Sequence, residues 1–253
     1  MTTSKELSSL IDKGYFIFKE YFSSEEIDAI VATSKVELLE YPYTYSDSAK
    51  VLSIKVDTSK ILDTVRKLTG TKFVDWHQKL YLKESFEGYL EPYHQDFFYR
   101  EEAELPNHAY LQCFIAVDDL TECPLNVFES SHKLGLLEHV IGMERNGYSK
   151  YRIPTKLLKK YSYSFKPLHL QKGDMLIFDY LLIHGSSSNA SPYRQSRIVI
   201  QLIKEGVKMT NSNEIFKKRK IAEYEILSNM IKDRKNINII PLGYPKWEII
   251  MYL

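Results

Sequence analysis

Between about residues 73 and 203 the chain reads as a series of short strands with few helical segments between them, and this pattern most limits what it can fold into. Apolar, β-branched and aromatic runs predict strands over 75–83, 89–96, 109–117, 125–128, 167–170, 174–184 and 197–203. Turn signals separate them, among them Phe86-Glu87-Gly88, Leu105-Pro106-Asn107 and Lys172-Gly173-Asp174. A parallel βαβ sheet needs a helix after each strand, so the pattern predicts a sandwich or barrel. Residues 136–165, basic and rich in tyrosine, interrupt the series and read as a lid-like insertion.

The flanks read differently. Residues 1–72 are mixed with helices dominant: a helix over 4–12, a strand over 14–22, and a capped helix opening at Ser23-Ser24-Glu25-Glu26. Ile27, Ile30 and Val31 share one face of that helix, and another helix is predicted over 58–68, ending at Gly70. Beyond the strand series, residues 207–253 return to helix at 212–232 and then to an extended piece over 237–252. No repeat, low-complexity tract or linker divides the chain. One domain is expected: a helical support (1–72), a barrel core (73–206) and a C-terminal helical extension (207–253).

Charge removes several classes of partner. Lys plus Arg total 34 against 33 Asp plus Glu, which leaves no field to gather nucleic acid or anionic lipid. The run Lys217-Lys218-Arg219-Lys220 reads as a solvated helix face. Asp179 interrupts the longest apolar stretch, MLIFDYLLI, well short of the roughly 20 residues of a membrane helix. The first residues lack the long apolar region of a secretory leader, and the only cysteines, Cys113 and Cys123, make no CxxC pair. A reducing, cytoplasmic location is expected, with a small-molecule partner and a monomer or homodimer as the assembly.

Phosphate-loop, dinucleotide, GxSxG and HExxH motifs are absent. His94-Gln95-Asp96 lies in the predicted strand EPYHQDFFY, where residues i and i+2 face the same way. That would present an imidazole and a carboxylate together. A second imidazole would complete the two-His-one-carboxylate face that holds non-haem Fe(II) with positions left open. His184 is the best candidate, because it ends the apolar run DMLIFDYLLIH and precedes the small-residue turn Gly185-Ser186-Ser187-Ser188-Asn189. A polar ring at the end of a buried strand needs a partner, which a metal or a structural hydrogen bond can supply. His77, His108, His132, His139 and His169 read as surface or structural residues.

Five segments in order resemble the phytanoyl-CoA dioxygenase family of Fe(II)- and 2-oxoglutarate-dependent oxygenases, which includes the ectoine hydroxylases. They are GYFIFKEYFSSEEIDAI, WHQKLYLKESFEGYLEPYHQDFFY, YLQCFIAVDD, LNVFESSHKLG and QKGDMLIFDYLLIHGSSSNAS. The resemblance implies a mainly β fold with flanking helices, a double-stranded β-helix of the jelly-roll, cupin-like kind. It implies His94, Asp96 and His184 as iron ligands and catalytic residues, with 2-oxoglutarate and O2 converted to succinate and CO2 as substrate is oxidised.

The far carboxylate of 2-oxoglutarate needs a cation, and the planar fork of Arg suits it. The family usually carries that Arg eleven residues after the distal histidine, where this chain has Gln195. Arg197 and Arg194 are the substitutes. Arg197 is favoured because strand alternation turns it the same way as position 195. Lys83, Gln78, Gln112 and Phe114 are further co-substrate candidates by position, and Phe98, Tyr99 and Arg100, with the 136–165 insertion, are expected to contact substrate. Asp96 argues against halogenation, since halogenases of this fold have Gly or Ala in its place. The resemblance thus implies a hydroxylase acting on a small polar molecule or natural-product intermediate. A non-catalytic small-ligand or metal-binding jelly-roll is the alternative.

Overall fold

Strands that are apolar at every position must bury both faces, and this chain does so with two sheets and a layer of helices. The computed structural model describes residues 5–37, 44–46, 49–86, 91–96, 109–143, 149–207, 237–242 and 246–251. The first part of the chain runs α1 (Lys5–Lys13), β1 (Tyr15–Phe18), α2 (Ser24–Thr33), β2 (Lys35–Glu37), β3 (Thr44–Ser46), β4 (Ala49–Lys55) and α3 (Ser59–Thr69). There follow β5 (Phe73–Lys83), β6 (Glu91–His94), β7 (Tyr110–Ala116), β8 (Leu125–Phe128), β9 (Val140–Met143), β10 (Ser149–Arg152) and α4 (Thr155–Lys160). The last strands are β11 (Phe165–Leu168), β12 (Met175–Asp179), β13 (His184–Ser186), β14 (Gln195–Lys204), β15 (Ile237–Leu242) and β16 (Lys246–Met251).

The major sheet has the order β1-β12-β7-β14-β5-β4-β2, with β3 beside β4, and the minor sheet the order β11-β8-β13-β6. Neighbours are antiparallel throughout. The two sheets form a jelly-roll barrel, the double-stranded β-helix that the resemblance implies. Alternation explains the layering. Cys113, Ile115, Ile177, Ile198 and Ile200 leave the major sheet on one face and pack against Leu10 of α1, Ile27 of α2, and Ile61 and Val65 of α3. Phe114, Ala116, Leu176, Phe178 and Val199 leave it on the other and meet Leu125, Val127 and Leu168 of the minor sheet. Each fully buried Leu, Ile or Phe contributes about 1.5–3 kcal/mol, so both faces of β7 hold the fold together.

Local signals also act as read. Ser23 and Glu26 form a reciprocal capping box at the start of α2. Gly70 ends α3 in the left-handed region, φ 68°, which a glycine adopts without strain.

Four sequence expectations need correction. The strand predicted over 174–184 is two strands in different sheets, β12 and β13. Asp179 makes the break: its carboxylate accepts the Leu181 N–H at 2.8 Å and its carbonyl accepts the Leu182 N–H at 2.9 Å. The apolar run is continuous because the chain passes through the core as it changes sheets. Between α2 and α3 the described residues form strands β2, β3 and β4 rather than helical support, and β4 pairs with β5 to widen the major sheet. The HxD strand stops at His94, so Asp96 lies just beyond it. Within the C-terminal extension read as helical, the described residues are two paired antiparallel strands, β15 and β16, extended as the 237–252 piece was expected to be. The helix expected at 212–232 lies outside the described residues.

The insertion holds β9, β10 and α4. Its Leu137, Ile153, Leu157, Leu158 and Tyr161 pack with Tyr93, Phe128 and Ile183 of the minor sheet. Tyr93 and Ile183 each precede a candidate ligand, so this cluster covers the sheet face opposite the one that carries His94 and His184.

Candidate metal centre

Strands β13 and β6 pair so that His184 lies directly opposite His94. Adjacent cross-strand partners point to the same face, and the two rings stand 4.4 Å apart, centroid to centroid. Asp96 reaches between them, with Oδ1 3.5 Å from His94 Nε2 and Oδ2 3.6 Å from His184 Nε2. All three ligand atoms fall within 4.8 Å of one another. A single divalent ion fits among them.

Each imidazole is held in one tautomer. His94 Nδ1–H donates to the Pro92 carbonyl at 2.7 Å, and His184 Nδ1–H to the Leu182 carbonyl at 3.0 Å. Both Nε2 lone pairs are thereby left for a metal, an outer-shell arrangement that metal-binding histidines use widely. Gln112 on β7 donates Nε2–H to Asp96 Oδ2 at 2.7 Å and fixes the carboxylate. Phe178 packs edge-on against His184 and shields it from water.

Burial lowers the His184 pKa to about 4, since a charged ring there would lose its hydration. Burial also opposes charge on His94 and on Asp96. For His94 the hydrogen bond and negative charge of Asp96 outweigh it, and the pKa is raised. For Asp96 the two imidazoles and the Gln112 bond outweigh it, and the carboxyl is held well below the usual carboxylate range. The acid is therefore an anion, as a ligand must be.

A second polar group lies on the same interior face. Arg197 of β14 is only 6% exposed, and its Nη2 donates to Ser186 Oγ at 3.3 Å. Ser186 is two residues beyond His184, on the same side of β13. The guanidinium lies over the rings of Tyr81 and Phe114, at 5.3 and 5.7 Å. Its Nε has no partner, and among the described residues no carboxylate pairs with it. Lys83, also buried, donates to Ser186 Oγ at 2.9 Å and to the Ser187 carbonyl at 2.6 Å. Two cations thus converge on one serine beside the triad, and Ser186 is a residue that sequence reasoning did not single out.

The other candidates separate clearly. Phe114 and Gln112 face the barrel interior with the triad. Arg194 is exposed, and Gln195 bonds Ser191 Oγ at 3.3 Å. Gln78 shares the face of Leu80, away from Tyr81 and Arg197, where its Oε1 accepts the Val56 N–H at 2.6 Å. Phe98, Tyr99, Arg100 and His108 lie outside the described residues. His132 binds the Ile11 carbonyl and His169 the Thr121 carbonyl, both structural bonds.

Residues 4–199 match the family model of phytanoyl-CoA dioxygenase. The chain belongs to the phytanoyl-CoA dioxygenase family. No curated protein sequence matches it. Among solved structures it is similar to EctD from S. alaskensis with 2-oxoglutarate and 5-hydroxyectoine, at 16% identity and TM-score 0.62, covering 83% of this chain and 78% of that one. EvdO2 from Micromonospora carbonacea var. aurantiaca, complexed with 2-oxoglutarate, gives 11% identity and TM-score 0.58 over 83% of this chain and 94% of its own. The epimerase SnoN in complex with Fe3+, alpha ketoglutarate and nogalamycin RO gives 11% identity and TM-score 0.60, with coverages of 82% and 86%.

As a member of this family, the protein is an oxygenase that uses Fe(II) and 2-oxoglutarate, with the His94-Asp96-His184 triad as its metal site. The carboxylate ligand is in place, which fits a hydroxylase and not a halogenase. Among the described residues no helix is long and apolar enough to cross a membrane.

Gly185 shows how tightly the ligand strands approach. A Cβ there would lie 2.7 Å from the Glu91 carbonyl oxygen and 2.9 Å from Tyr93 Cδ1, at the point where the β13–β6 register shifts. Gly185→Ala should push β6 from β13 at a cost of about 1–3 kcal/mol. Fe(II) affinity, measured by calorimetry, should fall about tenfold.

His139 makes a separate, pH-dependent contribution. Burial lowers its pKa to about 4 from an ordinary 6.5. As pH falls from 6.5 to 4 the unfolded chain takes a proton that the folded chain refuses, so stability drops through that window and is unaffected above it. Thermal melts of metal-free protein should show this loss, up to about 3 kcal/mol, with a shallower slope in His139→Gln.

Proposed function

We propose that the protein is a hydroxylase of a small polar molecule or natural-product intermediate, with Arg197 as the residue that binds the far carboxylate of 2-oxoglutarate. The observation that carries the second part is a buried guanidinium, lacking a carboxylate among the described residues, bonded to the serine two places after a metal ligand. A buried charge without a counter-ion is costly, and a dianionic co-substrate supplies one. Lys83 adds positive charge on the same serine, and Phe114 and Tyr81 form the walls. The substrate class is supported by the ligands named for EctD and SnoN, an ectoine derivative and a nogalamycin compound. The balanced charge of the chain suits a small molecule better than a polymer. The two free, buried cysteines suit a reducing compartment.

Iron with 2-oxoglutarate and O2 supplies the oxidising power when bound. The chain's own part is to hold and to exclude. His94 and His184 present their Nε2 atoms, locked by the bonds from Nδ1–H to Pro92 and Leu182. Gln112 keeps the Asp96 carboxylate turned toward them, and Phe178 packs edge-on against the His184 ring and keeps water from it. Arg197 fixes one end of the co-substrate so that its other end meets the triad.

An anaerobic titration with Fe(II) and then 2-oxoglutarate tests the co-substrate assignment. A visible charge-transfer band saturating at one equivalent is expected, followed in air by succinate formation that accelerates with the right small molecule. A folded, iron-loaded protein without the band would favour the binding-module alternative.

A further inference from the structure

The residue between the two ligands of the HxD segment is fully buried and has every side-chain hydrogen-bonding group engaged. Gln95 Nε2 donates to the Gly135 carbonyl at 2.8 Å and to the Leu181 carbonyl at 2.7 Å, and its Oε1 accepts the Leu137 N–H at 2.8 Å. Its backbone N–H donates to His139 Nε2 at 3.0 Å. His139 in turn donates Nδ1–H to the Leu137 carbonyl at 2.8 Å, which fixes the tautomer whose Nε2 accepts.

Three separate pieces of chain meet at this one amide. The first carries His94 and Asp96. The second, 135–139, opens the insertion that packs behind the minor sheet. The third is the turn at Leu181, three residues before His184. One side chain thus joins all three. We propose that Gln95, seated by His139, is the positioning residue of the metal centre: it sets the separation between the HxD segment and the His184 arm and ties both to the 136–165 insertion. In this arrangement the insertion acts as a buttress on the outer face. Ile153 of that insertion adds a direct bond, its N–H donating to the Tyr93 carbonyl at 2.8 Å beside His94. The proposal rests on the triad being the iron site.

The physical argument is one of over-determination. A ligand triad keeps its affinity only if its members are held to within about 0.5 Å, and outer hydrogen-bond partners typically matter by about 10–100-fold in metal affinity. Gln95 touches no ligand atom, so it acts only by placing backbone. Gln95→Met keeps the volume and leaves the Gly135 and Leu181 carbonyls and the Leu137 N–H without their partner.

The experiment uses Co(II), whose visible spectrum reports coordination geometry without turnover. The full chain is studied well below its melting temperature. Gln95→Met should bind Co(II) about 10–100-fold more weakly, with an altered spectrum, and His139→Leu should shift both in the same direction by less. Asp174→Asn serves as the control, because Asp174 is buried and accepts from Lys19, the Glu20 N–H and the Gln171 N–H far from the triad. It should lower the melting temperature without changing Co(II) affinity or spectrum. If Gln95→Met fails to fold, His139→Leu and Ile153→Pro, which deletes the Tyr93 bond, carry the comparison. Wild-type affinity and spectrum in folded variants would overturn the proposal and leave Gln95 a core residue only. A wild-type protein that binds no Co(II) would remove the metal centre itself, a different failure.

Discussion

Replacing Asp96 and His184 together by alanine should abolish the charge-transfer band of the Fe(II)–2-oxoglutarate chelate and all 2-oxoglutarate turnover. Both side chains are ligands, His184 buried and Asp96 partly so, and their removal leaves His94 alone, which cannot hold a divalent ion against water. The loss in Fe(II) affinity should exceed the about 10–100-fold that follows removal of an outer hydrogen-bond partner. The fold should survive. The ligands are polar groups clustered at the cost of burial, and Asp96→Ala with His184→Ala removes both an anion and a desolvated imidazole. Circular dichroism and a melt that is no lower than that of metal-free wild-type protein check this. A band that persists in the double variant would mean that iron binds elsewhere.

Arg197→Ala should raise the apparent 2-oxoglutarate dissociation constant about a hundredfold while leaving Fe(II) affinity within about twofold. The expected figure follows from losing a charge-assisted, two-point contact, about 3 kcal/mol. Arg197→Lys should recover little of this, because an ammonium cannot offer the planar fork. Arg194→Ala should change nothing, since that side chain is exposed. Titration of 2-oxoglutarate into each iron-loaded variant, followed by the visible band, distinguishes them. If Arg194→Ala weakens the co-substrate and Arg197→Ala does not, the assignment of the cation is wrong.

The parts of this site that were legible in the sequence share a cause. Strand alternation is strict, so the face of Arg197 relative to Gln195 follows from counting, and the short run YLQCFIA reads as a strand that the structure buries on both sides. The spacing of His94 and Asp96, and the placement of His184 after an apolar run, offered candidates only, and it was the family resemblance that joined them into a ligand set. What was not legible depends on the chain turning. The DMLIFDYLLIH run looks like one strand because hydrophobicity does not record a change of sheet, and only the carboxylate of Asp179, capping the turn, marks it. Asp96 lies beyond its strand because Gln95 is drawn into the core on the other side. Gln78 and Lys83 are equal candidates by position, yet five residues of a strand put them on opposite faces, one toward Val56 and the other toward Ser186. His139 is the structural residue it reads as, but its tie to Gln95 gave no signal, nor did Ser186, since a lone histidine and a serine in a serine-rich turn gain such meaning only from partners distant in sequence.

The direct pairing of His94 with His184 has a further consequence, for stability. The two residues lie 90 positions apart in sequence, and they share one ion only when β13 is paired with β6. A metal that binds the paired strands and not the unfolded chain clasps them together, and Fe(II) at about 100 times its dissociation constant adds about 2.7 kcal/mol to the folded state. Stripping the metal should therefore lower the melting temperature of the barrel as well as its activity.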